Sequence, residues 1–163
     1  MAMICAFTGH RPQRFPWGGN EADPRCAALK ALLRVKIREA AALGCRTFLC
    51  GMALGSDTYF AEAVLLERES SPALRLEAVL PCPEQALRWS KLDCDRHARL
   101  LAACDQVTVL EEAYSQGCML RRNRAMVDRA DVLISVYDGG GGGTGSTVDY
   151  ARRRGLTLLP VWL

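Results

Sequence analysis

A regular alternation constrains this sequence more than any other feature. Short apolar runs, too continuous for half-exposed strands, are separated by longer segments whose apolar residues recur at helical spacing. The first run, Met3 to Thr8, ends at Thr8-Gly9-His10-Arg11-Pro12 and a loop to Asn20 rich in proline, glycine and aromatics. Asp23-Pro24 then reads as a helix start with proline in its first turn. Leu29, Leu33, Ile37 and Ala40 keep the helical period, and Gly44 stops it. Further strands are expected at Thr47 to Cys50, Leu74 to Leu80, Gln106 to Leu110, Asp131 to Tyr137 and Leu156 to Trp162. Helices are expected from about Asp57 to Glu69, Glu84 to Ala103 in two pieces, Cys118 to Arg129, and from the Thr144–Thr147 stretch to about Arg154. Strands joined by helices of this length build right-handed β-α-β units. The expected fold is therefore α/β: a Rossmann-like, doubly wound, mostly parallel sheet flanked by helices in three layers. No linker or internal repeat divides the chain, so residues 1–163 are expected to form one domain.

Composition removes several classes. Half of the residues are apolar and 24% are charged, which excludes a disordered chain. A formal charge of +3 is too small to argue for nucleic acid, so a nucleic-acid partner is not expected. No apolar run approaches the roughly 20 residues needed to span a bilayer, so no membrane partner is expected either. The N-terminal stretch lacks the basic and long apolar regions of a signal peptide, and a cytoplasmic location is expected. The eight cysteines form no C-x-x-C pair and only two histidines accompany them. They read as reduced, packed thiols, with no metal site indicated.

In an open parallel sheet, ligands bind beyond the carboxyl ends of the strands where strand order reverses. Three strand ends here suit close backbone approach: Thr8-Gly9-His10-Arg11, the stretch Gly51 to Asp57, and Asp138 to Thr147 with five consecutive glycines. A phosphate needs converging N–H donors, which a helix N-terminus supplies together with a partial positive charge. Ser56, Thr144, Ser146 and Thr147 can add hydroxyls. The plainer readings stand beside these: Gly55-Ser56-Asp57 also suits a bare helix cap, and the glycines a surface linker. On the helix before the fifth strand, Arg121 and Arg124 share a face, while Arg122 points about 100° away. Asp149 lies one turn into the glycine-loop helix, where a carboxylate is favourable in any case. His97, Trp89 and Trp162 have no partner pattern and read as packing residues.

Taken together, these segments resemble the SLOG superfamily, the Rossmann-like group that includes the LOG and DprA/SMF proteins, and within it the YpsA-like branch. The resemblance covers nearly the whole chain. It rests on Thr8-Gly9-His10-Arg11-Pro12, on Gly51-x-Ala53-x-Gly55-x-Asp57, on Arg122-Asn123-x-x-Met126-Val127-Asp128-x-x-Asp131, and on the glycine-rich loop. LOG enzymes cleave the N-glycosidic bond of nucleoside monophosphates through a P-G-G-x-G-T-x-x-E signature and an upstream arginine. The run Gly142-Gly143-Thr144-Gly145-Ser146-Thr147-Val148-Asp149 is similar to that signature. Ser146 stands for the threonine, Asp149 for the glutamate, and Arg122 matches the arginine. The preceding proline is missing, extra glycines are inserted, and the carboxylate is one methylene shorter, a displacement of about 1.5 Å.

The resemblance implies a nucleotide or nucleotide-derivative binding protein, a sensor or regulator. The alternative it implies is a LOG-like hydrolase with Arg122 and Asp149 as catalytic residues; DprA-like binding of single-stranded nucleic acid ranks third. Ligand contacts are expected from Thr8, Gly9, His10, Arg11, Gly51, Gly55, Ser56, Asp57, Asn123, Asp138, Gly142, Gly143, Thr144, Gly145, Ser146 and Thr147. No cofactor is identified beyond this nucleotide-type ligand, the expected partner being a phosphate-bearing small molecule. A homo-oligomer is also expected, with Met52, Leu54, Tyr59 and Phe60 as spare apolar surface.

Overall fold

The structure is a computed structural model that describes residues 2–163. Six strands and five helices alternate: β1 (Met3–Gly9), α1 (Pro24–Leu43), β2 (Cys45–Cys50), α2 (Ser56–Ser70), β3 (Arg75–Leu80), α3 (Lys91–Ala103), β4 (Gln106–Val109), α4 (Cys118–Arg129), β5 (Val132–Tyr137), α5 (Gly143–Arg153) and β6 (Thr157–Trp162). The strands form one parallel sheet in the order β4-β3-β2-β1-β5-β6. Strand order thus runs outward from β1 and reverses between β1 and β5.

That order explains the layers. Right-handed crossovers moving one way from β1 to β4 place α1, α2 and α3 on one face, and the return to β5 and β6 places α4 and α5 on the other. The alternating side chains of the strands separate accordingly. Cys5, Phe7, Phe48, Leu76 and Ile134 pack with Leu33 and Ile37 of α1, Phe60 and Val64 of α2, and Leu100 of α3. Ala6, Leu49, Val79 and Leu133 pack with Met126 and Val127 of α4 and Val148 and Ala151 of α5. Phe60 stacks on Phe7 with centroids 4.3 Å apart.

The helix starts follow local chemistry. The Asp23 carboxylate accepts the Arg25 N–H at 2.8 Å ahead of α1, and Ser90 Oγ accepts the Asp93 N–H at 3.1 Å ahead of α3. The expected first piece of the Glu84 to Ala103 helix is absent. Residues 84–90 instead form turns in which Leu87 and Trp89 donate three residues back, to Glu84 and Ala86. Ser90 holds extended backbone at ψ 161° and caps the Asp93 N–H, so the helix starts afresh at Lys91 and does not run through from residue 84.

A second expectation fails in the core. Met52, Tyr59 and Phe60 are buried inside the chain, 2%, 3% and 0% exposed, so three of the four residues supply no spare surface for self-association and only Leu54 is half-exposed. The large exposed apolar residues lie elsewhere, among them Leu87, Leu92, Tyr114 and Trp162. All eight cysteines are free thiols, six buried and two half-buried. No helix among the described residues is long and apolar enough to cross a membrane.

Candidate functional site

The reversal between β1 and β5 opens a cleft of about 360 Å³ lined by Thr8, Gly9, His10, Arg11, Gln13, Arg14, Ala53, Asp57, Met119, Arg122, Asn123, Gly143 and Thr144. Its parts come from four separate stretches of chain. The turn after β1 forms one wall and is stitched to its neighbours. The His10 N–H donates to the Val136 carbonyl at 3.0 Å, and the His10 carbonyl accepts the Ser56 hydroxyl at 2.7 Å and the Ser56 N–H at 3.2 Å. Ser56 is fully buried and its hydroxyl is spent on this bond, so it holds two loops together rather than facing the cleft.

The loop after β2 is held by the first turn of α2. Asp57 Oδ2 accepts the Ala53 N–H at 3.0 Å, and Thr58 Oγ1 donates to the Ala53 carbonyl at 3.0 Å. The preceding Met52 has φ of 60°, a conformation that side chains other than glycine rarely adopt. Asp57 lines the cleft at 7% exposure. Burial pushes its carboxyl above the ordinary range, opposed by the positive charge of Arg122.

Arg122 is the floor of the site. It projects from α4, is 3% exposed, and its Nη1 donates to the Gly51 carbonyl at 2.6 Å while Nε donates to Asn123 Oδ1 at 2.8 Å. Burial lowers its proton affinity, with Asp57 acting against that shift. Arginine starts so high that it remains a cation. A Cβ on Gly51 would lie 2.5 Å from Arg122 Cζ, so the guanidinium packs against bare backbone there. The neighbouring residues Arg121 and Arg124 point outward: Arg121 pairs with Glu111 at 3.0 Å, and Arg124 lies over the Tyr150 ring. Asn123 continues the link to α5, donating to Thr147 Oγ1 at 3.1 Å, and Thr147 Oγ1 donates to the Gly143 carbonyl at 2.8 Å.

The glycine-rich loop is ordered by contacts at both ends. Asp138 accepts the Gly140 N–H at 2.8 Å and takes two bonds of 2.9 Å from Arg14 Nη2, whose Nη1 donates to the Gly141 carbonyl at 3.2 Å. His10 Nε2 stands 3.1 Å from both the main-chain nitrogen and Oδ1 of Asp138. The Gly140 N–H, then Arg14, then His10 hold the Asp138 carboxyl well below the ordinary range. The loop folds back over the start of α5 so tightly that a Cβ on Gly145 would meet the Gly140 carbonyl oxygen at 2.5 Å. Helix α5 begins after Gly142 with no side chain capping its amides. Gly143 and Thr144 of that first turn line the cleft.

The expected residues therefore divide. Thr8, Gly9, His10, Arg11, Asp57, Arg122, Asn123, Gly143 and Thr144 meet at the cleft. Gly51, Gly55, Ser56, Asp138, Gly142, Gly145, Ser146 and Thr147 stand behind or beside its walls, several of them shaping the loops. Asp149 does neither. Its side chain is 67% exposed and bonded to Arg152 at 3.0 Å, because Val148 and Ala151 turn the opposite side of α5 into the core. Gln13, Arg14 and Met119, which line the cleft, escaped the sequence reading, as did Gln85 beneath it. Arg14 looks like an ordinary loop cation until Asp138 is placed beside it. Gln85, 9% exposed in the turns after β3, donates from Nε2 to the same Gly51 carbonyl at 3.0 Å, and its Oε1 is buried without a partner among the described residues. An unpaired buried oxygen of this kind costs about 1–3 kcal/mol.

The model of the YspA SLOG family matches residues 5–153, which include the turn after β1, the loop after β2, α4 and the glycine-rich loop. A UPF0398 protein of Bacillus pumilus (strain SAFR-032) is 29% identical over 138 residues, covering 83% of this chain and 73% of that protein. The SPbeta prophage-derived protein YoqJ of Bacillus subtilis (strain 168) is 27% identical over 118 residues, covering 65% of this chain and 69% of that protein. Among solved structures, DNA processing protein A from Helicobacter pylori, which binds single-stranded DNA, aligns with a TM-score of 0.63 at 19% identity. The alignment covers 97% of this chain but 64% of that one, so this chain spans less than two thirds of its length. At that identity the likeness is one of fold. A family match extending over five of the six strands, and over every loop that builds the cleft, places the chain in the YspA SLOG family.

Proposed function

We propose that the cleft between β1 and β5 binds a phosphate-bearing small molecule, a nucleotide or nucleotide derivative, and that the protein senses or regulates through this binding without turning the ligand over. One observation carries the reading: the uncapped first turn of α5 opens on the same cleft as the turn Thr8–Arg11 and the buried cation Arg122. The N–H groups of Gly143 and Thr144 are then the donors for a phosphate oxygen, with the Thr8 and Thr144 hydroxyls beside them and Arg11 exposed at the rim. The helix start contributes about 0.3–1 kcal/mol to an exposed anion and more to a partly buried one.

Turnover of the LOG type needs a carboxylate at the sugar. Asp149 faces solvent on Arg152, and the Arg122 guanidinium is engaged by Gly51 and Asn123. These positions favour binding over hydrolysis. Thermal shift against mono-, di- and cyclic nucleotides and ADP-ribose tests the proposal, because a ligand of the native state raises the melting temperature by mass action. A flat response to all of them overturns it. Release of free base from a nucleoside monophosphate would replace it with the hydrolase reading, and strongly salt-dependent binding of oligonucleotides alone with a nucleic-acid reading.

A further inference from the structure

Beside the cleft lies a second depression of about 480 Å³, lined by Glu84, Gln85, Leu87, Arg88, Trp89, Tyr114 and Met119. We infer that this trough is the base subsite of the ligand, and that the base it accepts carries an exocyclic amine. The inference rests on the reading of the cleft as a phosphate site. Three observations carry it.

The first is continuity. Met119 lines both the cleft and the trough, so a ligand with its phosphate at Gly143 and Thr144 passes over the Met119 side chain into the trough. The other aromatic-lined pocket nearby, about 140 Å³ between Tyr59, Trp89 and His97, is not connected in this way. It shares no lining residue with the cleft.

The second is the lining. Trp89 and Tyr114 offer aromatic faces, Met119 a polarisable thioether, and Leu87 an aliphatic wall. The Trp89 ring is braced by His97, edge-on at 5.1 Å. Leu87 and Tyr114 are 74% and 66% exposed, an open apolar surface at the rim of a polar site. A flat heteroaromatic ring covers such a surface and stacks without needing a particular sequence of polar partners.

The third is Gln85. Its Nε2 is committed to the Gly51 carbonyl, which also accepts Arg122 Nη1, so the trough and the floor of the cleft share one anchor. That bond assigns the amide orientation and leaves Oε1 as an acceptor with no partner among the described residues. Gln85 lines the trough, and the inference sets the amine of the base against this covered oxygen, which a shift of the trough's side chains exposes. An amine then donates to it, whereas an exocyclic carbonyl oxygen at the same place repels it.

The test uses calorimetry on the full chain with adenosine 5′-monophosphate, inosine 5′-monophosphate and ribose 5-phosphate. The first two differ at the exocyclic amine and the third lacks a base. The adenine nucleotide is expected to bind at least about tenfold tighter than the other two. Tyr114→Ala is expected to weaken it between about fivefold and a hundredfold, the range for loss of one stacking partner. Leu87→Ala is expected to weaken it in the same direction, and neither variant to alter ribose 5-phosphate binding. Both side chains are exposed, so both variants should fold. Equal affinity for the three probes, or adenine-nucleotide binding indifferent to both substitutions, overturns the trough and leaves the phosphate cleft standing. Absence of binding by all three overturns the inference, and the phosphate cleft falls with it only where the thermal-shift response to the wider nucleotide panel is flat as well. Binding confined to oligonucleotides also overturns the inference and makes the trough part of a strand path.

Discussion

Arg122 and Gly51 are fitted to each other: a methyl group on Gly51 would lie 2.5 Å from the guanidinium carbon, whose Nη1 donates to the Gly51 carbonyl at 2.6 Å. The contact explains why the floor of the cleft can be a buried cation without a direct ion pair. The backbone carbonyl satisfies it, and the absence of a side chain lets it approach. Gly51→Ala should push the guanidinium out at a cost of about 1–3 kcal/mol, the usual range for overpacking. The expected result is a fall of several degrees in Tm and loss of the ligand-dependent rise. A variant with unchanged Tm and undiminished ligand response would refute the fit.

Removing Arg122 should expose how it is coupled to Asp57. In Arg122→Met the buried Asp57 carboxylate loses the strongest of the positive charges acting on it, and stability should drop by roughly 2–5 kcal/mol at neutral pH. Adding Asp57→Asn keeps an acceptor for the Ala53 N–H and removes the charge, so the double variant should recover part of the loss. Urea unfolding of the four proteins gives the coupling directly. Strict additivity would show that the two groups do not sense each other.

Asp57 also sets a pH dependence. Its folded-state proton affinity is raised by burial, so between its ordinary value and the folded value the native chain holds more proton than the unfolded one. That contribution is present at low pH and is lost as pH rises through the folded value. Asp57→Asn should therefore be more stable than the parent at neutral pH, with the difference shrinking on acidification. Lower stability of this variant than of the parent at neutral pH would reverse the sign and contradict the burial argument.

Glu21 acts in the opposite direction. Arg96, bonded at 2.7 Å, and Lys30, bonded at 2.8 Å, lower its carboxyl from 4.5 to about 2. Its stabilisation is complete above the ordinary value and is lost as pH falls toward the folded one. The group is partly exposed, so the effect is screened by salt. Acid unfolding of Glu21→Gln should be shallower between about pH 4.5 and 2 than that of the parent. Superimposable acid limbs would remove Glu21 from the acid response.

Arg14 should matter for order rather than for stability. It grips Asp138 with two bonds of 2.9 Å, yet both side chains are about two-fifths exposed, at 41% and 37%. Arg14→Ala should cost no more than about 1 kcal/mol. Hydrogen exchange at Gly140 to Gly142 should nonetheless quicken, because the Asp138 carboxylate and the Gly141 carbonyl lose their anchor. Unchanged exchange would mean that the Gly140–Gly145 packing holds the loop unaided.

The strands, their parallel sense and the loops that carry chemistry could be read from residue order. Apolar runs, caps and glycine or proline stops act within a few residues of one another, so Met3 to Thr8 and Asp131 to Tyr137 announce themselves. One local reading failed, at residues 84–90, where short turns replaced a helix. Side-chain assignments within the site were another matter. Helical spacing set Arg122 apart from Arg121 and Arg124 but could not say that it points inward. Only the packed sheet brings Gly51, Gln85 and Arg122 to one carbonyl, or Arg14 to Asp138. The fate of Asp149 was equally hidden, since the seating of Val148 and Ala151 on the sheet sets the rotation of α5. Short-range preferences choose the elements. The contacts between strand ends join residues as far apart as Arg14 and Asp138, 124 positions along the chain, and no local pattern encodes them.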